Sequence, residues 1–224
     1  RKNNLHVLED AAEAWGMESL VDGKWRKAGT IGEIGIYSFF PTKTLGAYGD
    51  AGLMVTDDEE LYRKIKSYRV HGSSVKYHHD YVGYNSRLDT LQAAILRVKF
   101  RSTDPAIAAR ARHGAHYAER LARVPGLRLP KVLAGGKPVY YVFNIFAPKR
   151  DELAAFLKEK GIGTSIYYPI PLHLQKCFRI LGYKKGDFPN AERACEEVLA
   201  LPIFPELTDE EVDYVCDNIK VFYS

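Results

Sequence analysis

Two short apolar runs, Gly35–Phe40 and Ala51–Val55, stand on either side of a polar loop and are bounded by glycine and proline. Runs of this length, rich in aromatic and branched side chains, predict buried strands. A third run, Leu5–Leu8, ends abruptly at Glu9 and Asp10 and reads as another strand, followed by a helical-looking AAEAWG segment. Further along the period changes. Leu61, Ile65 and Tyr68 recur at helical spacing behind Asp57 and Asp58, and Leu91, Ile95 and Val98 form a second stripe. A helical run over 106–121 leads through Pro125, Gly126, Pro130, Gly135, Gly136 and Pro138, which mark turns. The remainder predicts a strand over 139–147, a helix over 150–160, a strand over 162–168 and a helix over 189–199. A last helix starts from a Thr208/Glu211 capping box and buries Val212, Val215, Ile219 and Phe222. Mixed strands and helices predict an α/β protein, with one domain over 1–104 and a smaller one over 105–224.

Composition narrows the function classes. With 224 residues, 46% of them hydrophobic, the chain can bury a substantial core. No apolar run approaches the roughly 20 residues that cross a bilayer, and no signal peptide opens the chain, so the expectation is a cytoplasmic protein without a membrane partner. A formal charge of +4 is spread along the chain, which favours a small anionic ligand over nucleic acid. Cys177, Cys195 and Cys216 are widely spaced and odd in number, as in reduced thiols rather than a disulfide framework or a zinc site. His71, His78 and His79 lack carboxylates at ligand spacing, so no metal is expected.

One lysine occupies a constrained place. Pro41 ends the first apolar run, Gly46, Gly49 and Gly52 shape the return, and Lys43 lies between them. A lysine held at a strand end near apolar walls can give up its proton and attack a carbonyl to form a Schiff base, whereas a solvated loop lysine is inert. Asp10, at the end of its strand, lies where open α/β sheets place ligands and is equally suited to cap a helix. The stretch YYPIPLHLQ is stiffened by Pro169 and Pro171, which fixes Tyr167, Tyr168 and His173 whether they pack a connector or face a ligand.

The segment SFFPTKTLGAYGDAG around Lys43 resembles the lysine segment of the DegT/DnrJ/EryC1/StrS family of sugar aminotransferases. Further similarities follow in order: EDAAEAWG at Glu9–Gly16, HG at His71–Gly72, YNSRLDTLQAAIL at Tyr84–Leu96, YYPIPLHLQ at Tyr167–Gln175, then GDFPNAE and LPIFPELTDEE. The similarity covers essentially the whole chain but begins partway into the family's sequence, so an N-terminal portion is expected to be absent. The resemblance implies fold type I, aspartate aminotransferase-like: a partial αβα sandwich major domain and a smaller α+β C-terminal domain. It also implies pyridoxal 5'-phosphate as cofactor.

By this resemblance Lys43 is the catalytic lysine that carries the cofactor, and Asp10 pairs with the cofactor's pyridine nitrogen. Ser38 binds its phosphate. Glu13 stands where the family often has glutamine against the phenolic oxygen; an ionised glutamate there would have to be protonated, turned away or bridged by water, and a solvated role suits it too. Asn85 reaches the cofactor phosphate of the partner in a homodimer with shared active sites, although asparagine also suits a turn there. Arg87 meets the substrate with its planar fork, and Tyr167, Tyr168 and His173 lie at the substrate end. The implied reaction is transamination from glutamate to a nucleotide-linked ketosugar for aminosugar or polysaccharide biosynthesis. The YPIPLHLQ and NSRLD wording points to a 3-keto hexose or 3-keto uronic acid rather than a 4-keto sugar. A catalytically silent fragment, or a binding module on the same scaffold, is the alternative from another class.

Overall fold

The computed structural model describes residues 3–224. The chain forms two compact units, one running to Ala108 and taking back Val132–Tyr141, the other made of Ala109–Lys131 and Val142–Ser224. The division expected at 104 falls at 108. The 132–141 stretch, expected in the smaller domain, belongs to the first unit because residues 136 and 137 pair with a strand there.

In the first unit, β1 (Leu8–Asp10), β2 (Glu18–Val21), β3 (Lys24–Lys27), β4 (Ile34–Ser38) and β5 (Gly52–Val55) make two small sheets. In the first of these, β4 is central, parallel to β1 with Asp10 opposite Ile36 and antiparallel to β5 with Ser38 opposite Gly52. The first strand therefore lies later than the apolar run Leu5–Leu8 suggested, and it includes two acids. Glu9 is tolerated there because the backbone amides of Gly29, Ile31 and Gly32 donate to its carboxylate at 2.8, 2.5 and 2.6 Å. Burial raises its pKa, but those three amides and the charge of Arg26 outweigh burial and hold it below the ordinary value. Gly35 lets this turn close on the strand, since a Cβ there would lie 1.9 Å from the Gly29 oxygen.

The AAEAWG segment is not a helix. Two successive turns, Ala14 N to Ala11 O at 3.0 Å and Met17 N to Ala14 O at 2.9 Å, drop Trp15 onto Tyr37 and Phe39. These aromatics join Ala11, Leu45, Ala47 and Leu96 in the core of the unit. β2 and β3 form a hairpin across Asp22-Gly23, whose φ values of 49° and 74° are those of a two-residue hairpin turn.

Next, α1 (Glu59–Tyr68) is capped by Asp58, whose carboxylate accepts the Leu61 amide at 2.9 Å. The polar loop after it holds a short hairpin, β6 (Ser73–Val75) with β7 (His78–His79). α2 (Thr90–Phe100) and α3 (Thr103–Leu121) follow, the latter entering the second unit after Ala108. α3 starts earlier than 106 because Pro105 sits in its first turn, where the missing amide is not needed. β8 (Gly136–Lys137) completes the hairpin sheet by pairing with β2.

The second unit centres on β9 (Phe143–Phe146), with α4 (Arg150–Glu159), α5 (Pro189–Glu197), β10 (Val198–Leu201) and α6 (Asp209–Tyr223). β9 and β10 pair antiparallel, and all four residues of β10 are buried. Three expectations change here. The helix over 189–199 ends at Glu197, because the apolar VLAL run extends to pair with β9 instead. The strand over 139–147 starts only at Phe143, because Tyr140 has a left-handed φ of 43°. No ladder forms over 162–168, only a bridge from Ser165 to Ala200. α6 has the expected box, with Thr208 and Glu211 bonded reciprocally at 3.2 and 2.8 Å. Tyr117 stacks on Phe143 at 5.1 Å beside fully buried Leu153, Leu157, Leu199, Val212, Cys216 and Ile219.

Candidate active site

The carboxyl ends of the parallel neighbours β1 and β4 carry Asp10 and Ser38, and the loop leaving β4 carries Lys43. That loop is tight. The Lys43 amide donates to Phe40 O at 2.9 Å, and the Ala47 amide donates to Phe39 O at 2.8 Å. Gly46 is needed there, since a Cβ would come within 2.4 Å of the Pro41 oxygen. Leu45 and Ala47 anchor the loop in the core.

With its backbone fixed, the Lys43 amine donates to Glu13 Oε1 at 2.9 Å, the lysine side chain only 14% exposed and the glutamate 50%. The same nitrogen lies 4.3 Å from the centre of the Tyr141 ring. The Tyr141 and Thr42 hydroxyls are 2.9 Å apart. Glu13 is presented by the turns that replace the expected helix, so its place opposite the amine follows from the Ala11–Gly16 turn geometry and not from a helical face.

Asp10 is exposed, and its Oδ1 accepts the Ala12 amide at 3.1 Å, which is local turn bonding; no helix starts there for it to cap. Ser38 Oγ accepts the Phe40 amide at 3.2 Å, which leaves the hydroxyl proton available to donate. Next to the lysine, Thr44 Oγ1 is buried without a hydrogen-bond partner among the described residues.

The other expected residues fall in two further places. Asn85 and Arg87 are exposed, and the Arg87 Nε–H donates to Asn85 Oδ1 at 3.0 Å, so these two side chains hold each other. Tyr167, Tyr168 and His173 lie in the second unit and line one cavity of about 730 Å³ together with Asn144, Phe146 and Phe188. His173 is part of the wall. Its ring is 4.8 Å from that of Phe188, and its Nε2 is 2.9 Å from Glu192 Oε1, with side-chain exposures of 8% and 9%. Burial raises the Glu192 pKa, but the Gly186 amide, the His173 ring and the Phe188 amide outweigh it and leave it below the ordinary value.

Sequence reading missed Tyr141, Thr42 and Glu192. No motif marks Tyr141; the nearest signal is the pair Gly135-Gly136, which permits the turn returning the chain to β2, where Leu20 N donates to Gly135 O at 2.7 Å. Among the described residues no group of three His, Cys, Asp or Glu side chains is placed to hold a metal ion, and no helix is long and apolar enough to cross a membrane.

Parallel and antiparallel strands with a restrained primary amine just past their ends make this an α/β protein with a candidate lysine site. The comparisons make this specific: the model of the DegT/DnrJ/EryC1/StrS aminotransferase family matches residues 1–220, and the chain belongs to that family. The family's enzymes depend on pyridoxal phosphate. The chain is 50% identical over 225 residues to a pleiotropic regulatory protein of Geobacillus stearothermophilus, covering 100% of this chain and 59% of that protein. It is 43% identical over 220 residues to UDP-N-acetyl-3-dehydro-alpha-D-glucosamine 3-aminotransferase of Acidithiobacillus ferrooxidans, covering 98% and 58%. The structure of Streptomyces venezuelae DesV in complex with a ketimine intermediate superposes with a TM-score of 0.93 at 36% identity, over 100% of this chain and 59% of that one. The chain thus spans under three fifths of the length of these relatives.

Proposed function

We propose that this chain is the lysine-bearing part of a pyridoxal-phosphate-dependent aminotransferase that passes an amino group from glutamate to a nucleotide-linked 3-keto hexose or 3-keto uronic acid. It works in the cytoplasm as a homodimer with shared sites, and its product feeds aminosugar or polysaccharide biosynthesis. The observation that carries the reading is the Lys43 amine, largely enclosed and 2.9 Å from Glu13, on a loop fixed at the end of β4.

The side chains present fit the cofactor. A carboxylate and a hydroxyl with a free proton stand at the ends of two adjacent strands, the amine stands on the loop leaving one of them, and the Thr44 hydroxyl beside the lysine is buried without a hydrogen-bond partner among the described residues. Pyridoxal phosphate, when bound, supplies an aldehyde for the amine and a ring that takes up the electron pair released at the donor's α carbon. Asp10 sets a fixed negative charge where the ring nitrogen is to stay protonated. Ser38 donates its hydroxyl proton to a phosphate oxygen, and Asn85 serves the partner's phosphate in the same way. Arg87 offers two parallel N–H groups to a diphosphate or a sugar carboxylate. Once its nitrogen is free, Lys43 moves the proton to and from the α carbon. Tyr167, Tyr168 and His173 shape the wall against which the sugar nucleotide rests, and the 3-keto preference is supported by the reaction named for the Acidithiobacillus relative.

The test is spectroscopic. Adding pyridoxal phosphate is expected to produce a visible absorption band that borohydride bleaches, with the added mass on Lys43 and neither effect in Lys43→Ala. A protein that stays colourless with excess cofactor supports the silent scaffold instead. A panel of UDP- and dTDP-ketosugars with glutamate, read by product mass, then identifies the acceptor.

A further inference from the structure

Residues 132–141 leave the turn-rich stretch and return to the first unit as a strap. Gly136 and Lys137 pair with β2, the Lys137 amine is 2.7 Å from Glu18 Oε2, and it lies 4.0 Å from the centre of the Trp25 ring. The strap ends on Tyr141, whose ring covers the Lys43 amine at 4.3 Å and whose hydroxyl meets Thr42 at 2.9 Å, one residue before that lysine. The two contacts differ in purpose. The hydroxyl pair fixes where the ring stands, and the ring face attracts a cation.

We propose that Tyr141 is a positioning residue for Lys43: before the cofactor is captured it holds the ammonium against Glu13, so that only a ligand anchored elsewhere in the site can draw the amine out. An ammonium donating to a carboxylate and facing a ring has no lone pair with which to attack. A small electrophile that binds nothing in the site therefore meets an unreactive nitrogen. This rests on Lys43 being the reactive amine, but it concerns the nitrogen before any ligand arrives.

The experiment acylates the whole chain briefly with the N-hydroxysuccinimide ester of acetate and reads each lysine by peptide mass spectrometry. The amine attacks the ester carbonyl, an amide bond forms, N-hydroxysuccinimide leaves with its electron pair, and the ammonium proton goes to buffer. Lys24 and Lys64 serve as internal references. Tyr141→Leu is expected to raise acylation of Lys43 relative to them by roughly three- to tenfold, the scale of a partly desolvated cation–ring contact. Tyr141→Phe keeps the ring but loses the same hydroxyl pair as Thr42→Val, so it is expected to match that variant at about a twofold rise and to stay well below Tyr141→Leu, a rescue that general loosening would not give. Thr42→Val cuts the tether alone and is expected to give about a twofold rise, deciding the matter should Tyr141→Leu unfold and raise all lysines together. Equal Lys43 rates in the unmutated protein and Thr42→Val, or in Phe and Leu variants, overturn the proposal. Cofactor capture by Lys43, measured separately with borohydride, fails or succeeds independently of these ratios.

Discussion

His173 Nε2 and Glu192 Oε1 sit 2.9 Å apart inside the second unit, and the glutamate also accepts the Gly186 amide at 2.8 Å and the Phe188 amide at 3.4 Å. One carboxylate thus gathers both ends of the connector between the YYPIPLHLQ stretch and α5. Because its pKa is lowered on folding, the stabilisation is present above the ordinary value of 4.5 and is lost as pH falls through the lower folded value. Glu192→Gln is expected to lower the denaturation midpoint at pH 7 and to flatten its fall below pH 4.5. Thermal melts from pH 3 to 7 check both.

Breaking the Lys43–Glu13 pair should act on chemistry more than on folding. The glutamate is half exposed, so the pair contributes at most about 1 kcal/mol. Glu13→Gln is expected to leave the melting temperature nearly unchanged while speeding capture of pyridoxal phosphate by up to about fivefold. The initial rate of borohydride-trapped adduct on Lys43 is the measurement.

The α6 cap offers a cleaner stability probe. Thr208→Ala removes the acceptor of the Glu211 amide and is expected to destabilise the chain by about 1 kcal/mol. Urea unfolding should show a lower midpoint with the same slope, since the surface exposed on unfolding is unchanged.

Cys216 is fully buried, and burial pushes its thiol up to about 12. Cys177 is exposed. Maleimide at pH 7.5 is therefore expected to modify Cys177 first and to leave Cys216 unmodified until denaturant is added, as peptide mapping would report.

Much of this was legible in the chain. The period of Leu61, Ile65 and Tyr68 and the Thr208/Glu211 box located α1 and α6, because side-chain spacing and capping chemistry are local. The errors arose where tertiary contacts decide. Val198–Leu201 looks like the end of a helix until β9 gives it a partner. Glu9 looks like the end of a strand until three distant amides satisfy its carboxylate. In the site, the loop of Lys43 is readable from proline and glycine, whereas Glu13 is reached only through the family resemblance, because two successive turns that no period marks present it to the amine. Tyr141 was invisible, because nothing near position 141 announces that it will lie over residue 43.

The strap carries a consequence for biogenesis. A ribosome delivers Lys43, Glu13 and Thr42 long before Tyr141, and β2 waits for its β8 neighbour across more than a hundred intervening residues. The lysine's ring cover is thus a late step of vectorial synthesis, and a nascent chain stalled before residue 141 would present that amine to the aldehydes of its surroundings with Glu13 beside it and no ring over it.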